Sequence, residues 1–114
     1  YWLAVATGKG RSGLDKAIAQ TDTQAFWLET ACTSEYPSKP APDMVLALCD
    51  RLGVEPEEAV VVGDTTHDLE MAANAKIRAI AVTTGAHTAK QLSSMPHVAM
   101  LNSLAELPDV LETL

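Results

Sequence analysis

Ala59-Val60-Val61-Val62 is an unbroken apolar run in which three of four residues are β-branched. Such residues suit a pleated strand, and a run without polar alternation predicts burial on both faces. Gly63-Asp64-Thr65-Thr66 then turns the chain into a helix expected from about His67 to Ala75. This constrains the fold strongly, because a strand buried on both faces needs covering layers and parallel neighbours.

The same grammar recurs along the chain. Trp2 to Ala6 reads as a buried strand and stops at Thr7-Gly8-Lys9-Gly10. Arg11 to Gln20 has helical spacing, with Leu14, Ala17 and Ile18 on one face. A weaker strand spans Phe26 to Cys32. Thr33 to Pro42 is a loop with Pro37, Pro40 and Pro42. Pro42 suits the first residue of a helix running to Leu52, closed by Gly53. Strands are expected over Ile77 to Val82 and Val98 to Leu101, with helices near Thr88 to Leu92 and Ser103 to Leu111. Alternating strands and helices predict an open, parallel α/β sheet, with ligands outside the carboxyl ends of its strands.

The 114 residues make one small domain, and 47% hydrophobic content excludes a disordered tail. Eight Lys+Arg against fifteen Asp+Glu, a net charge of −7, argue against a nucleic-acid partner. No apolar run approaches the length of a membrane span or a signal peptide. Cys32 and Cys49 form no disulfide framework and read as reduced, small hydrophobes. A cytoplasmic location and no membrane partner are the expectation. The chain opens at Tyr1 within an apolar run and without a Met, as expected of a piece of a longer protein.

The strand ends carry the candidate chemistry. Asp64 and Asp68, four residues apart, fall on one side of a helical turn. Two carboxylates ~5 Å apart repel by about 3 kcal/mol at an effective dielectric of ~20. A hard cation would reverse that sign, since Mg²⁺ is held by one or two carboxylates plus phosphate oxygens. Alternatively, Asp64 caps the helix and Asp68 favours its positive end. Thr7 with Gly8 and Gly10 offers a hydroxyl and free N–H groups for an anion, or simply a glycine turn. Lys39, stiffened between Pro37 and Pro40, either neutralises a phosphate or is a solvated lysine. Lys9 and Arg11 could add positive potential there. His67, His87 and His97 read as ordinary helix or loop residues. Gly8-Lys9-Gly10-Arg11-Ser12-Gly13 also spells the dinucleotide-binding pattern G-x-G-x-x-G, with Glu29 as the candidate ribose acid. That match would leave Lys39, Asp64 and Asp68 without roles.

Together, Leu3-Ala4-Val5-Ala6-Thr7, Ser38-Lys39-Pro40-Ala41-Pro42 and Val62-Gly63-Asp64-Thr65-Thr66-His67-Asp68 resemble the second, third and fourth motifs of the haloacid dehalogenase-like (HAD) hydrolase superfamily, in its phosphoglycolate phosphatase-like branch. The resemblance implies a Rossmann-like three-layer α/β sandwich around a parallel sheet, with residues 1–114 as a partial core domain. It further implies an Mg²⁺-dependent phosphatase acting on a small phosphorylated metabolite through an aspartyl-phosphate. Thr7 and the Gly8 N–H would bind phosphoryl oxygens, Lys39 would neutralise charge there, and Asp64 would hold Mg²⁺ with help from Asp68. Lys76 stands where relatives usually have Gly.

The family's first motif, Asp-x-Asp, is absent from the sequence, and so is the cap domain. The expectation is a chain without its own nucleophile and without turnover alone. In the family sheet the nucleophile strand lies between those matching Trp2–Ala6 and Ala59–Val62. Without it, two edges should stand unpaired, pair directly, or exchange strands with another chain. A non-catalytic phosphate-binding module is a further alternative.

Overall fold

The computed structural model describes residues 1–114, and its strands and helices alternate as the sequence grammar requires. In chain order these are β1 (Ala4–Thr7), α1 (Arg11–Thr21), β2 (Glu29–Cys32), α2 (Asp43–Leu52) and β3 (Val60–Gly63). Then follow α3 (Thr66–Asn74), β4 (Arg78–Val82), α4 (Ala89–Leu92), β5 (Ala99–Leu101) and α5 (Leu107–Leu111). Every strand pairing is parallel. No helix is long and apolar enough to cross a membrane.

The strands form two sheets. One has the order β1-β2, and the other β3-β4-β5. β1 and β3 each have one neighbour, so each keeps an edge of unpaired N–H and C=O groups. They do not pair with each other, and no strand of the chain lies between them. Between them runs a groove of about 430 Å³, lined by Ala4 and Ala6 of β1, Val60 and Val61 of β3, and Val45 and Met71 from α2 and α3. This open edge corrects the expectation for the valine run. Val60 and Val61 are only half-buried, and Val62 is 38% exposed. A strand with one neighbour leaves one flank to solvent, whatever its residue types.

Helix α2 ties the two sheets together. Met44, Val45, Leu48 and Cys49 form its buried stripe at helical spacing. They join one core with Ala31 of β2, Leu69, Met71 and Ala72 of α3, and Ala79 and Ala81 of β4. Pro42 stands one place before the helix as its cap, and Gly53, at φ 70°, ends it. Both cysteines are free and buried, and burial pushes the Cys49 thiol up.

Two further expectations shift. Trp2 and Leu3 precede β1, which begins at Ala4 opposite Glu29, and are 64% and 46% exposed. The segment before β2 is a short 3₁₀ turn, Gln24–Phe26, rather than strand. The expected final helix divides into a 3₁₀ turn, Leu104–Glu106, and α5, with Pro108 inside the first turn of the latter.

Candidate active site

Asp64 directly follows β3, and α3 begins two residues later. The helix starts there because Thr65 and Asp68 form a capping box. The Thr65 hydroxyl accepts from the Asp68 N–H, and the Asp68 carboxylate accepts from the Thr65 N–H. Thr65, not Asp64, is therefore the cap. Gly63 makes the close approach of α3 possible, since a Cβ at that position would stand 2.3 Å from Asp68 Cβ.

Asp68 is only 6% exposed, so its charge needs partners. Its Oδ2 accepts from the Asp64 N–H at 3.2 Å, the Thr65 N–H at 3.2 Å and the Thr65 hydroxyl at 2.9 Å. Its Oδ1 takes the Lys39 ammonium at 2.5 Å. Burial alone would raise the Asp68 carboxyl. The Lys39 bond and charge, with Thr65, outweigh burial and hold it below the usual aspartate range. Asp68 thus links the loop after β2 to the end of β3. Asn74 reinforces the link by donating to the Pro40 carbonyl at 3.0 Å.

Asp64 is placed differently. Its Oδ2 accepts only the Ala86 N–H, at 3.1 Å, and its Oδ1 has no hydrogen-bond partner in the chain. The two aspartates therefore divide their tasks: Asp68 is engaged on both oxygens by protein donors, and Asp64 keeps a free oxygen. A hard cation held by one or two carboxylates plus phosphate oxygens fits that free oxygen. The chain has no cluster of three or more His, Cys, Asp or Glu side chains placed to hold a metal. Any Mg²⁺ would rely on Asp64 here, with Asp68 assisting or reached through water, and on oxygens from substrate, solvent or another segment.

Thr7 ends β1, and its hydroxyl oxygen accepts the Lys9 N–H at 3.2 Å, leaving the hydroxyl proton free to donate. Thr33 pins this loop by donating to the Gly8 and Lys9 carbonyls, and Ser34 accepts the Arg11 N–H. The Gly8 N–H has no partner within the chain, and a Cβ on Gly8 would meet nothing within 4 Å. Arg11 does not lend its charge to the loop. It is bound to Asp15, Thr30 and Glu35, and it holds the Glu35 carboxyl below the usual range. Lys9 stays exposed.

The dinucleotide pattern fails on register. Glu29 pairs with Ala4 at the amino end of β1, whereas the glycine loop follows Thr7, which pairs with Cys32. Three residues of strand, about 10 Å, separate the acid from that end. Glu29 instead faces Arg51 at 3.6 Å.

Thr65 and His87 are the contributors that residue patterns did not single out. His87 Nδ1 accepts the Thr66 N–H at 3.0 Å, and its ring centroid stands 6.1 Å from that of His67. Thr83-Thr84-Gly85 was the available signal, since it follows a strand at its carboxyl end and precedes His87 by only two residues. The His97 ring makes one hydrogen bond, to the Met95 carbonyl.

Comparison with known proteins adds a consistent set of matches. Residues 37–107 match the family described as HAD-hydrolase-like. The chain is 34% identical over 108 residues to "Probable phosphatase IndB" of Dickeya dadantii, covering 94% of this chain and 47% of that protein. It is 32% identical over 110 residues to the pyrophosphatase PpaX of Bacillus velezensis, covering 94% and 50% respectively. A haloacid dehalogenase-like protein of unknown function from Agrobacterium tumefaciens superposes with a TM-score of 0.89 at 23% identity, covering 96% of this chain and 53% of that one. The chain spans about half the length of the curated relatives it matches.

Proposed function

The chain belongs to the haloacid dehalogenase-like hydrolase family, and from that premise we propose that it forms the phosphoryl-binding part of a phosphatase acting on a small phosphate monoester. One observation carries the reading. The Asp68 carboxylate joins the Lys39 ammonium to the Asp64 main chain, so a cation and a carboxylate with a free oxygen share one anchor.

Each residue has a task in this reading. The Thr7 hydroxyl and the Gly8 N–H donate to phosphoryl oxygens. Lys39 has three ammonium protons, of which one serves Asp68, leaving two for the phosphoryl group and the nucleophile. Asp68 holds that ammonium in place. Asp64 would hold Mg²⁺ through its free oxygen. Bound there, Mg²⁺ would supply Lewis-acid neutralisation of the phosphoryl charge. These contributions are positioning and electrostatics, which dominate phosphoryl transfer.

The reacting carboxylate is an aspartate from outside these 114 residues, whose oxygen bonds to phosphorus as the ester P–O bond breaks. Water then cleaves the aspartyl-phosphate and releases phosphate. The strand that carries this aspartate occupies the groove between β1 and β3. Supporting this are the two open edges and the apolar lining. Strand exchange with a second copy is the competing occupant of those edges.

The test uses the chain as it stands. Inorganic phosphate with Mg²⁺ should bind saturably by calorimetry, and Asp64→Asn and Thr7→Ala should each weaken that binding. p-Nitrophenyl phosphate should not be turned over. Absence of Mg²⁺-dependent phosphate binding, or turnover abolished by Thr7→Ala, would overturn the reading.

A further inference from the structure

The loop between β4 and α4 closes over Asp64 with three consecutive residues. Gly85 packs so tightly that a Cβ there would stand 1.8 Å from Asp64 Oδ2. Ala86 donates its N–H to that same oxygen at 3.1 Å. His87 donates its N–H to the Asp64 carbonyl at 3.2 Å. Main chain and side chain of Asp64 are thus gripped by one short segment, 21 to 23 residues away in sequence.

The segment itself is held by a side chain. His87 Nδ1 accepts the N–H of Thr66, the first residue of α3, at 3.0 Å. An Nδ1 that accepts leaves the ring proton on Nε2. No other group of the chain takes the Thr66 N–H. The imidazole therefore locks the β4–α4 loop onto the start of α3, with Asp64 between them. Of the two Asp64 oxygens, the lock engages Oδ2 and leaves Oδ1 free.

We propose that His87 is a positioning residue that aims the free Asp64 oxygen at the cation. The inference rests on the reading of Asp64 as the Mg²⁺ ligand. Groups that orient a metal ligand from behind it are worth 10–100-fold in metal affinity. The geometry also selects among replacements. An Asn places its amide oxygen near the position of Nδ1 and can accept the Thr66 N–H. A Gln places its amide near Nε2 and cannot.

Mn²⁺ with saturating inorganic phosphate is the probe, with affinity measured by electron paramagnetic resonance on the whole chain. Amide hydrogen exchange at Thr66 and Ala86 is the second readout. His87→Ala should weaken Mn²⁺ binding about tenfold and strip protection from both amides. His87→Asn should restore both properties, and His87→Gln neither. Unchanged protection and affinity in His87→Ala, or equal rescue by Gln and Asn, would overturn the inference alone. Mn²⁺ binding that is indifferent to Asp64→Asn would overturn the metal reading, and the inference with it.

Discussion

Replacing Lys39 with Met removes the ammonium from Asp68 while keeping most of the side-chain length. The carboxylate left behind is only 6% exposed. Removing one partner of a buried pair generally costs about 3–5 kcal/mol. Two features lower that figure here. The Lys39 side chain is 19% exposed, so solvent already screens part of the attraction. Asp68 also keeps its donors from Asp64 and Thr65. The expected loss at pH 7 is about 2–3 kcal/mol. The sign of its pH dependence follows from the depressed Asp68 carboxyl. In the wild type, the Asp68 contribution is complete above the unfolded value of about 3.9 and is lost as pH falls through the lower folded value. Without Lys39, burial pushes the carboxyl upward, so the variant's penalty is greatest at neutral pH and fades on acidification. The gap between the proteins should close by about 1.4 kcal/mol for each pH unit over which only the variant's Asp68 is protonated. Urea unfolding at pH 7 and at steps down to about pH 3, followed by circular dichroism, measures both free energies. A loss that stays equal at every pH would refute the ion-pair account.

Gly63→Ala places a Cβ 2.3 Å from Asp68 Cβ, so α3 must shift; urea titration should show a loss of about 1–3 kcal/mol. Leu69→Ala opens a sealed cavity, since Leu69 is fully buried and away from the groove, and should cost about 3–5 kcal/mol. Leu48→Ala abuts the groove and should fall near the lower limit, about 2 kcal/mol, in the same assay. Titration with a nicotinamide dinucleotide, read by Trp fluorescence, should give no saturable signal, because Glu29 lies at the wrong end of β2.

The open edges connect stability to partner choice. β1 and β3 expose a pairing template beside an apolar groove, the kind of edge that a further strand would cover. Such a strand would also complete burial of the valine run, whose composition suits two neighbours although the structure provides one. The half-exposure of Val60 to Val62 is therefore a measure of what the groove lacks.

Local rules were legible in the sequence to within a few residues. The valine run, the stripe of α2, Gly53 and the proline loop each act through neighbours close along the chain. The motif residues Thr7, Lys39, Asp64 and Asp68 could likewise be read as strand-end and loop chemistry. Their division of labour could not. Asp68 owes its state to Lys39, 29 residues away, and Asp64 owes its free oxygen to a loop 22 residues further on. The same limit explains Glu29 and Arg11, whose partners depend on strand register and on side chains from other elements. Propensity, capping and periodicity act over a few residues, so the alternation of strands and helices could be read from the chain, whereas the 3₁₀ turns at Gln24–Phe26 and Leu104–Glu106 could not. Which carboxylate is engaged on both oxygens, which keeps one open and where the sheet is interrupted depend on donors and edges brought together from distant parts of the chain, and these emerge only with the packed fold.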